Sequence, residues 1–150
     1  MEPEDEIRVV AFSGSATPLG RFGRMRDVGE STINKVRGLF AEGNTALYDA
    51  VTLALDEIEK ERKSRSEGRL YGIVVLSDGK DTSSTVKRLD LMGRLPKSED
   101  TDGIKIFTIA YGGEADLDLL KEISDRTNAV SLKGEEKNIV KVYESISSYF

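Results

Sequence analysis

A threonine and an aspartate carry most of the chemical promise of this 150-residue chain. Asp78 ends the run IVVLSDGKDT, Ile73 to Thr82, where an apolar stretch breaks off into an acid, a glycine and, at Asp81, a second acid. Thr45 lies in GNTALYDAV, Gly43 to Val51, where a turn at Glu42 to Asn44 opens an amphipathic stretch. Asn44 reads as the N-cap of that helix, leaving the Thr45 hydroxyl free to point outward at the helix start. An acid after a strand is a common turn residue and a threonine near a helix start is a common cap, so neither alone marks a site. The chain has no histidine and no cysteine. That removes Ser-His and Cys-His nucleophile pairs, histidine bases, thiolate chemistry and nearly every zinc or copper site. Metal chemistry must then use oxygen ligands, which suit hard cations such as magnesium, manganese or calcium.

The elements that would position these two residues follow from the apolar pattern. Ile7 to Phe12, Leu70 to Leu76 and Ile104 to Tyr111 are continuous, β-branched runs, which predicts strands buried on both faces. Leu47, Ala50, Val51, Ala54, Leu55 and Ile58 recur at the spacing of one helix face, with a charged face from Asp56 to Lys63. Leu119, Leu120 and Ile123 mark a second helix, and Ile139, Tyr143, Ile146 and Phe150 a third, with a short strand, Ala129 to Lys133, between them. Phe22 to Val28 reads as an edge strand in a hairpin with the first. KSRSEG (63–68) and KSEDTDG (97–103) read as polar loops. Buried strands alternating with amphipathic helices predict one domain, residues 1–150, of the α/β class: a doubly wound, mostly parallel sheet with helices on both faces. In such a sheet, ligands bind beyond the carboxyl ends of the strands, where Asp78 falls.

Charge and hydropathy remove other classes. A net charge of -5, from 27 acids and 22 bases interspersed along the chain, offers nothing to nucleic acid. No apolar stretch approaches the roughly 20 residues of a membrane helix, and MEPEDEIR lacks the features of a signal peptide. Asp78 and Asp81 could pair as catalytic carboxylates, but they share one glycine turn and no second acidic cluster faces them, so the reading is non-enzymatic. FSGSATPLGRFG spaces its glycines wrongly for a dinucleotide fingerprint. Arg21, Arg24 and Arg26 read as a solvated hairpin edge in preference to a partner-contacting patch, and Tyr48 and Tyr111 as core residues beside the site.

GNTALYDAV followed by VVLSDGKDT resembles the von Willebrand factor A domains, as do the later segments IFTIAYGGEADLDLLKEIS and KVYESISSYF, which look like the late strand and closing helix of bacterial members. The resemblance covers the chain from Ile7 onward. It implies an adhesion-type, non-catalytic interaction domain that holds a divalent cation, Mg2+ or else Mn2+ or Ca2+, at a metal-ion-dependent adhesion site. A protein partner's aspartate or glutamate completes the ion's shell. Thr45 matches the family's threonine ligand and Asp78 its aspartate ligand. Gly43, Asn44, Gly79 and Asp81 fall in the surrounding loops as partner-binding or supporting residues. Bacterial members often sit beside a membrane-anchoring or solute-binding region, which implies a cell-surface or membrane-anchored parent, while this chain itself inserts in no membrane.

The family's third loop, Asp-x-Ser-x-Ser, has no counterpart. Ala11 to Ser15 has the two serines with alanine in place of the acid, and only 30 residues separate Ser15 from Thr45, too few for the family's intervening strand, helix and hairpin. VVAFSGSA looks instead like the family's second strand. The resemblance therefore implies that a central first strand, the metal loop and the first helix are lacking. Two expectations follow: cation binding is weak or absent in this chain, and two strand edges stand open. The Ile7 strand could close directly on the Leu70 strand, or a second copy could fill the gap as a homodimer. The alternative function is a scaffold or assembly domain with a vestigial, metal-free site.

Overall fold

The computed structural model describes residues 2–40, 43–65, 68–97 and 103–149. Along the chain lie β1 (Glu6–Phe12), β2 (Ala16–Arg24), α1 (Met25–Arg37), α2 (Leu47–Lys63), β3 (Gly72–Ser77), α3 (Arg88–Arg94), β4 (Lys105–Tyr111), α4 (Leu117–Arg126), β5 (Ser131–Gly134) and α5 (Ile139–Ser147). β3, β4 and β5 form a parallel sheet in that order, with Gly72 opposite Lys105 and Thr108 opposite Ser131. The crossovers contain α3 and α4, as parallel neighbours require. β1 and β2 form a separate antiparallel hairpin with an irregularity between Ile7 and Val9.

Alternation along β4 sends side chains to two cores. Ile106 and Ala110 join α2, α3 and α4 through Leu47, Val51, Leu55, Leu91, Leu119, Leu120 and Ile123. Phe107 and Ile109 meet Ile146 of α5, flanked by Val130, Leu132, Ile139 and Val142. Helices thus cover both faces of the sheet. The one hydroxyl that β4 buries, Thr108, has the Leu120 carbonyl at 2.9 Å and the Ser124 and Ser131 hydroxyls at 2.8 and 2.9 Å, so it is fully partnered. Thr127 accepts the Ile106 N–H at 3.0 Å and so ties the end of α4 to the start of β4.

Several expectations need correction. Only β4 is buried on both faces. β1 is half-buried throughout, and β3 alternates, leaving Val74 and Leu76 exposed because α5 reaches only as far as β4. Leu70 precedes β3 and is 73% exposed. The edge strand is Ala16–Arg24, and Met25 to Val28 open a helix instead. Pro18 and Gly20, at a φ of +81°, sit in that edge strand because an edge tolerates a missing donor and a local irregularity. α1 and α3 did not stand out from the pattern. On α5 the buried stripe runs through Ile139, Val142 and Ile146, while Tyr143 is exposed; Phe150 lies outside the described residues, as do Glu42, 66–67 and 98–102 of the expected turns. β1 and β3 do not pair.

Candidate functional site

Three chain segments meet at the carboxyl end of the parallel sheet. The carbonyl of Ser13, just past β1, accepts the Ala46 N–H at 2.6 Å. Beyond β3, the Ser77 hydroxyl donates to the Gly79 carbonyl at 3.1 Å and braces the Ser-Asp-Gly turn. The stretch after that turn then locks onto the start of α2. Thr82 and Ser83 donate their N–H groups to the Thr45 carbonyl at 2.8 and 3.2 Å, and the Thr45 N–H returns a bond to the Thr82 hydroxyl at 2.8 Å.

The N-terminus of α2 is capped from a distance. Its N-cap is Ala46, which has no side-chain acceptor, so Asn44 does not fill that role. Asp81 instead accepts the Tyr48 N–H at 3.2 Å and the Ser84 hydroxyl, and Ser84 in turn accepts the Asp49 N–H at 3.1 Å. These are donors a helix start leaves orphaned, satisfied here by a loop more than 30 residues away in sequence. The Asp49 carboxylate completes the lock, accepting the Thr85 and Val86 N–H groups at 3.0 and 2.8 Å and facing the Thr85 hydroxyl at 3.3 Å. Burial alone would raise the Asp49 carboxyl, but these bonds outweigh it and hold its pKa below the ordinary value.

Thr45 and Asp78 fall on one rim. A Cβ on Gly79, the residue after Asp78, would lie 3.4 Å from the Thr45 hydroxyl oxygen. Thr45 is half-buried, Asp78 is exposed, and neither its hydroxyl nor the Asp78 carboxylate bonds to a described residue. The Thr45 hydroxyl and the Asp78 carboxylate are both hard oxygen donors, and among the described residues at this rim the buried Ser83 hydroxyl is likewise without a partner. Asp81, by contrast, is bonded as part of the α2 cap. Gly43 is exposed with open space around it, and Asn44 lies beside Gly14.

The remaining predicted neighbours sort by side of the sheet. Tyr48 packs partly on the core under the rim; burial, then the charges of Asp81 and Asp116, push its hydroxyl pKa up against an opposing Arg88. Asp116 itself caps α4 by accepting the Leu119 N–H at 3.1 Å. Tyr111 lies instead against Gly134 at the end of β5. Arg24 and Arg26 both pair with Glu4, which agrees with a solvated hairpin edge. Sequence reasoning missed Asp49, Thr82, Ser84 and Thr85, although an acid at the third helical position and the hydroxyl run Asp81 to Thr85 were both readable as cap chemistry.

This chain belongs to the von Willebrand factor type A domain family, whose model matches residues 1–144. Solved structures share the fold. A von Willebrand factor type A protein from Catenulispora acidiphila superimposes with a TM-score of 0.78 at 18% identity, over 97% of this chain and 34% of that one. Proximal thread matrix protein 1 from the mussel byssus, in a form with a zinc-occupied MIDAS motif, gives 0.68 at 18% identity, over 94% of this chain and 33% of that one. The conserved hypothetical protein BatB from Bacteroides thetaiotaomicron gives 0.68 at 14% identity, over 97% and 79%. The chain spans about a third of the length of the first two. No curated protein matches it. Members of the family typically mediate protein interactions and bind divalent metals at the MIDAS.

Proposed function

We propose that this chain is a non-catalytic protein-interaction module that engages a partner's aspartate or glutamate through a divalent cation bridged by Thr45 and Asp78. The observation that supports it is that Thr45 and Asp78 lie on one rim, with Gly79 beside Asp78 next to the Thr45 hydroxyl, on loops held by the Asp81 and Asp49 bonds. In donor type the pair fits a hard cation such as magnesium. In number it falls short, since magnesium takes about six oxygens in a near-octahedral shell. Among the described residues no group of three acidic side chains is gathered to hold an ion. When bound, the cation supplies a charge-dense acceptor for a carboxylate, while Gly43, Asn44 and Gly79 border it as a contact surface.

A second reading, a scaffold with a metal-free vestigial site, has one observation in its favour: the loop from Thr82 to Val86 is tied to the start of α2 by several protein hydrogen bonds. Magnesium calorimetry separates the two. Two protein oxygens predict binding weaker than micromolar that vanishes in Asp78→Ala; heat unchanged by that substitution favours the scaffold, and micromolar affinity refutes the two-donor count.

A further inference from the structure

The pair Asp78–Gly79, just past β3, sets a carboxyl beside a main-chain nitrogen that no side chain shields. Before a glycine, an aspartate side chain is most open to attack by the following nitrogen, because glycine has no Cβ to obstruct the approach. Both groups must be free for the attack. A carboxylate held by hydrogen bonds or an ion pair is kept from the nitrogen, and an N–H that donates in a helix or turn cannot come into line without breaking its bond.

The fold sorts its aspartates by this requirement. Asp49 and Asp81 have carboxylates bonded across the start of α2, and the N–H groups that follow them, of Ala50 and Thr82, donate at 3.0 and 2.8 Å. Asp5, Asp27, Asp56, Asp116 and Asp125 accept an N–H group or pair with a cation. Asp90 and Asp118 are exposed, but the N–H groups after them, of Leu91 and Leu119, donate at 3.0 and 3.1 Å. Among the described aspartates, Asp78 alone is exposed with neither its carboxylate nor the next N–H bonded to a described residue. The pair lies past the last ladder partners, Ser77 and Ala110, so no strand has to open. Only the bond from the Ser77 hydroxyl to the Gly79 carbonyl spans it.

We infer that Asp78–Gly79 is a modification site, at which spontaneous aspartate isomerisation rebuilds the rim. The Gly79 nitrogen attacks Asp78 Cγ. An N–Cγ bond forms as a Cγ–O bond breaks, and the oxygen leaves as water with the amide proton and one proton from solvent. The product is a succinimide ring, which water reopens at either carbonyl. Opening at the main-chain carbonyl breaks that carbon's bond to the Gly79 nitrogen and leaves isoaspartate, with the backbone running through Cβ and Cγ. The main chain is then one methylene longer before Gly79, and the carboxylate hangs directly on Cα. The closure involves no bound ion; only its effect on a shared cation rests on the function proposed above, so the test is run with a chelator present.

The full chain, aged at neutral pH and then cut with trypsin, yields Leu70–Lys80 as the peptide carrying the pair, while Asp102–Gly103 falls in a separate peptide. The isoaspartyl form of Leu70–Lys80 has the same mass but resists an endoproteinase that cleaves before aspartate. It should accumulate at least about tenfold faster than in the peptides carrying Asp49, Asp81 or Asp116. Gly79→Ala, whose Cβ would lie 3.4 Å from the Thr45 hydroxyl oxygen, should slow it at least about tenfold. Asp78→Asn should quicken the same closure, because ammonia leaves in place of water, and is read as a gain in mass on deamidation. Isomerisation in the isolated Leu70–Lys80 peptide but not in the folded chain overturns the inference. So does equal accumulation at the bonded aspartates, a rate that Gly79→Ala leaves unchanged, or a closure that Asp78→Asn fails to quicken.

Discussion

At the scale of single residues, most acids near the rim are structural and one is not. Asp49 and Asp81 accept N–H groups and fix loops, whereas Asp78 stands exposed with no described partner. Asp49→Asn therefore exchanges a charged acceptor of two amides for a weaker one and should destabilise the chain by about 1–2 kcal/mol in urea unfolding at neutral pH. Because the folded Asp49 has a lowered pKa, the unfolded state binds more protons in acid. Its contribution is complete above the unfolded pKa and disappears as pH falls through the folded one. The wild type and Asp49→Asn should thus converge in stability at low pH; a gap that stays constant down to pH 2 would show that the carboxylate's charge is not what matters. Asp78→Ala, by contrast, should leave the unfolding midpoint within about 0.5 kcal/mol of wild type, since nothing described rests on it.

At the scale of elements, close approaches decide which joints tolerate change. A Cβ on Gly134 would come within 2.9 Å of Ile139 Cδ1 and 3.0 Å of Ile109 Cγ2, where β5 turns into α5. Gly134→Ala should cost about 1–3 kcal/mol by overpacking, and pairing it with Ile139→Val should restore part of that loss in thermal melts. A pair that adds without recovery would place the strain elsewhere. Elements of this kind were legible where burial made the pattern dense: β4, α2 and α4 follow from their apolar spacing alone. α1 was not, because it carries few apolar residues, holds Gly29 in its second turn, and leaves Ile33 and Val36 exposed, so no continuous stripe announces a helix. α3 is two turns long and too short for periodicity to register. The strand reading of Phe22 to Val28 failed at Met25, where the chain turns from hairpin to helix with no side-chain cap to mark the change. β3 looked buried on both faces in sequence because its composition suits a central strand; in the fold it is an edge.

At the scale of the whole molecule, two partial sheets are bridged by α2 and tethered at both ends, and the rim that gathers Thr45, Asp78 and the end of β1 is the product of that arrangement. The positions of Thr45 and Asp78 were readable because a strand end and a helix start at one sheet edge are fixed by topology. The cap on α2 was not, since it depends on a loop brought back from Asp81 to Val86 that no local rule foresees. The central claim is that Thr45 and Asp78 serve one ion, and manganese(II) titration followed by paramagnetic broadening of backbone amide signals tests it most directly. A shared two-oxygen cradle predicts that the amides of Thr45, Ala46, Asp78 and Gly79 broaden first and together, and that either Thr45→Ala or Asp78→Ala abolishes the pattern at all four. Broadening that begins at the surface acids of α4 or the Glu135–Glu136 turn, or that survives at Thr45 when Asp78 is removed, would contradict it.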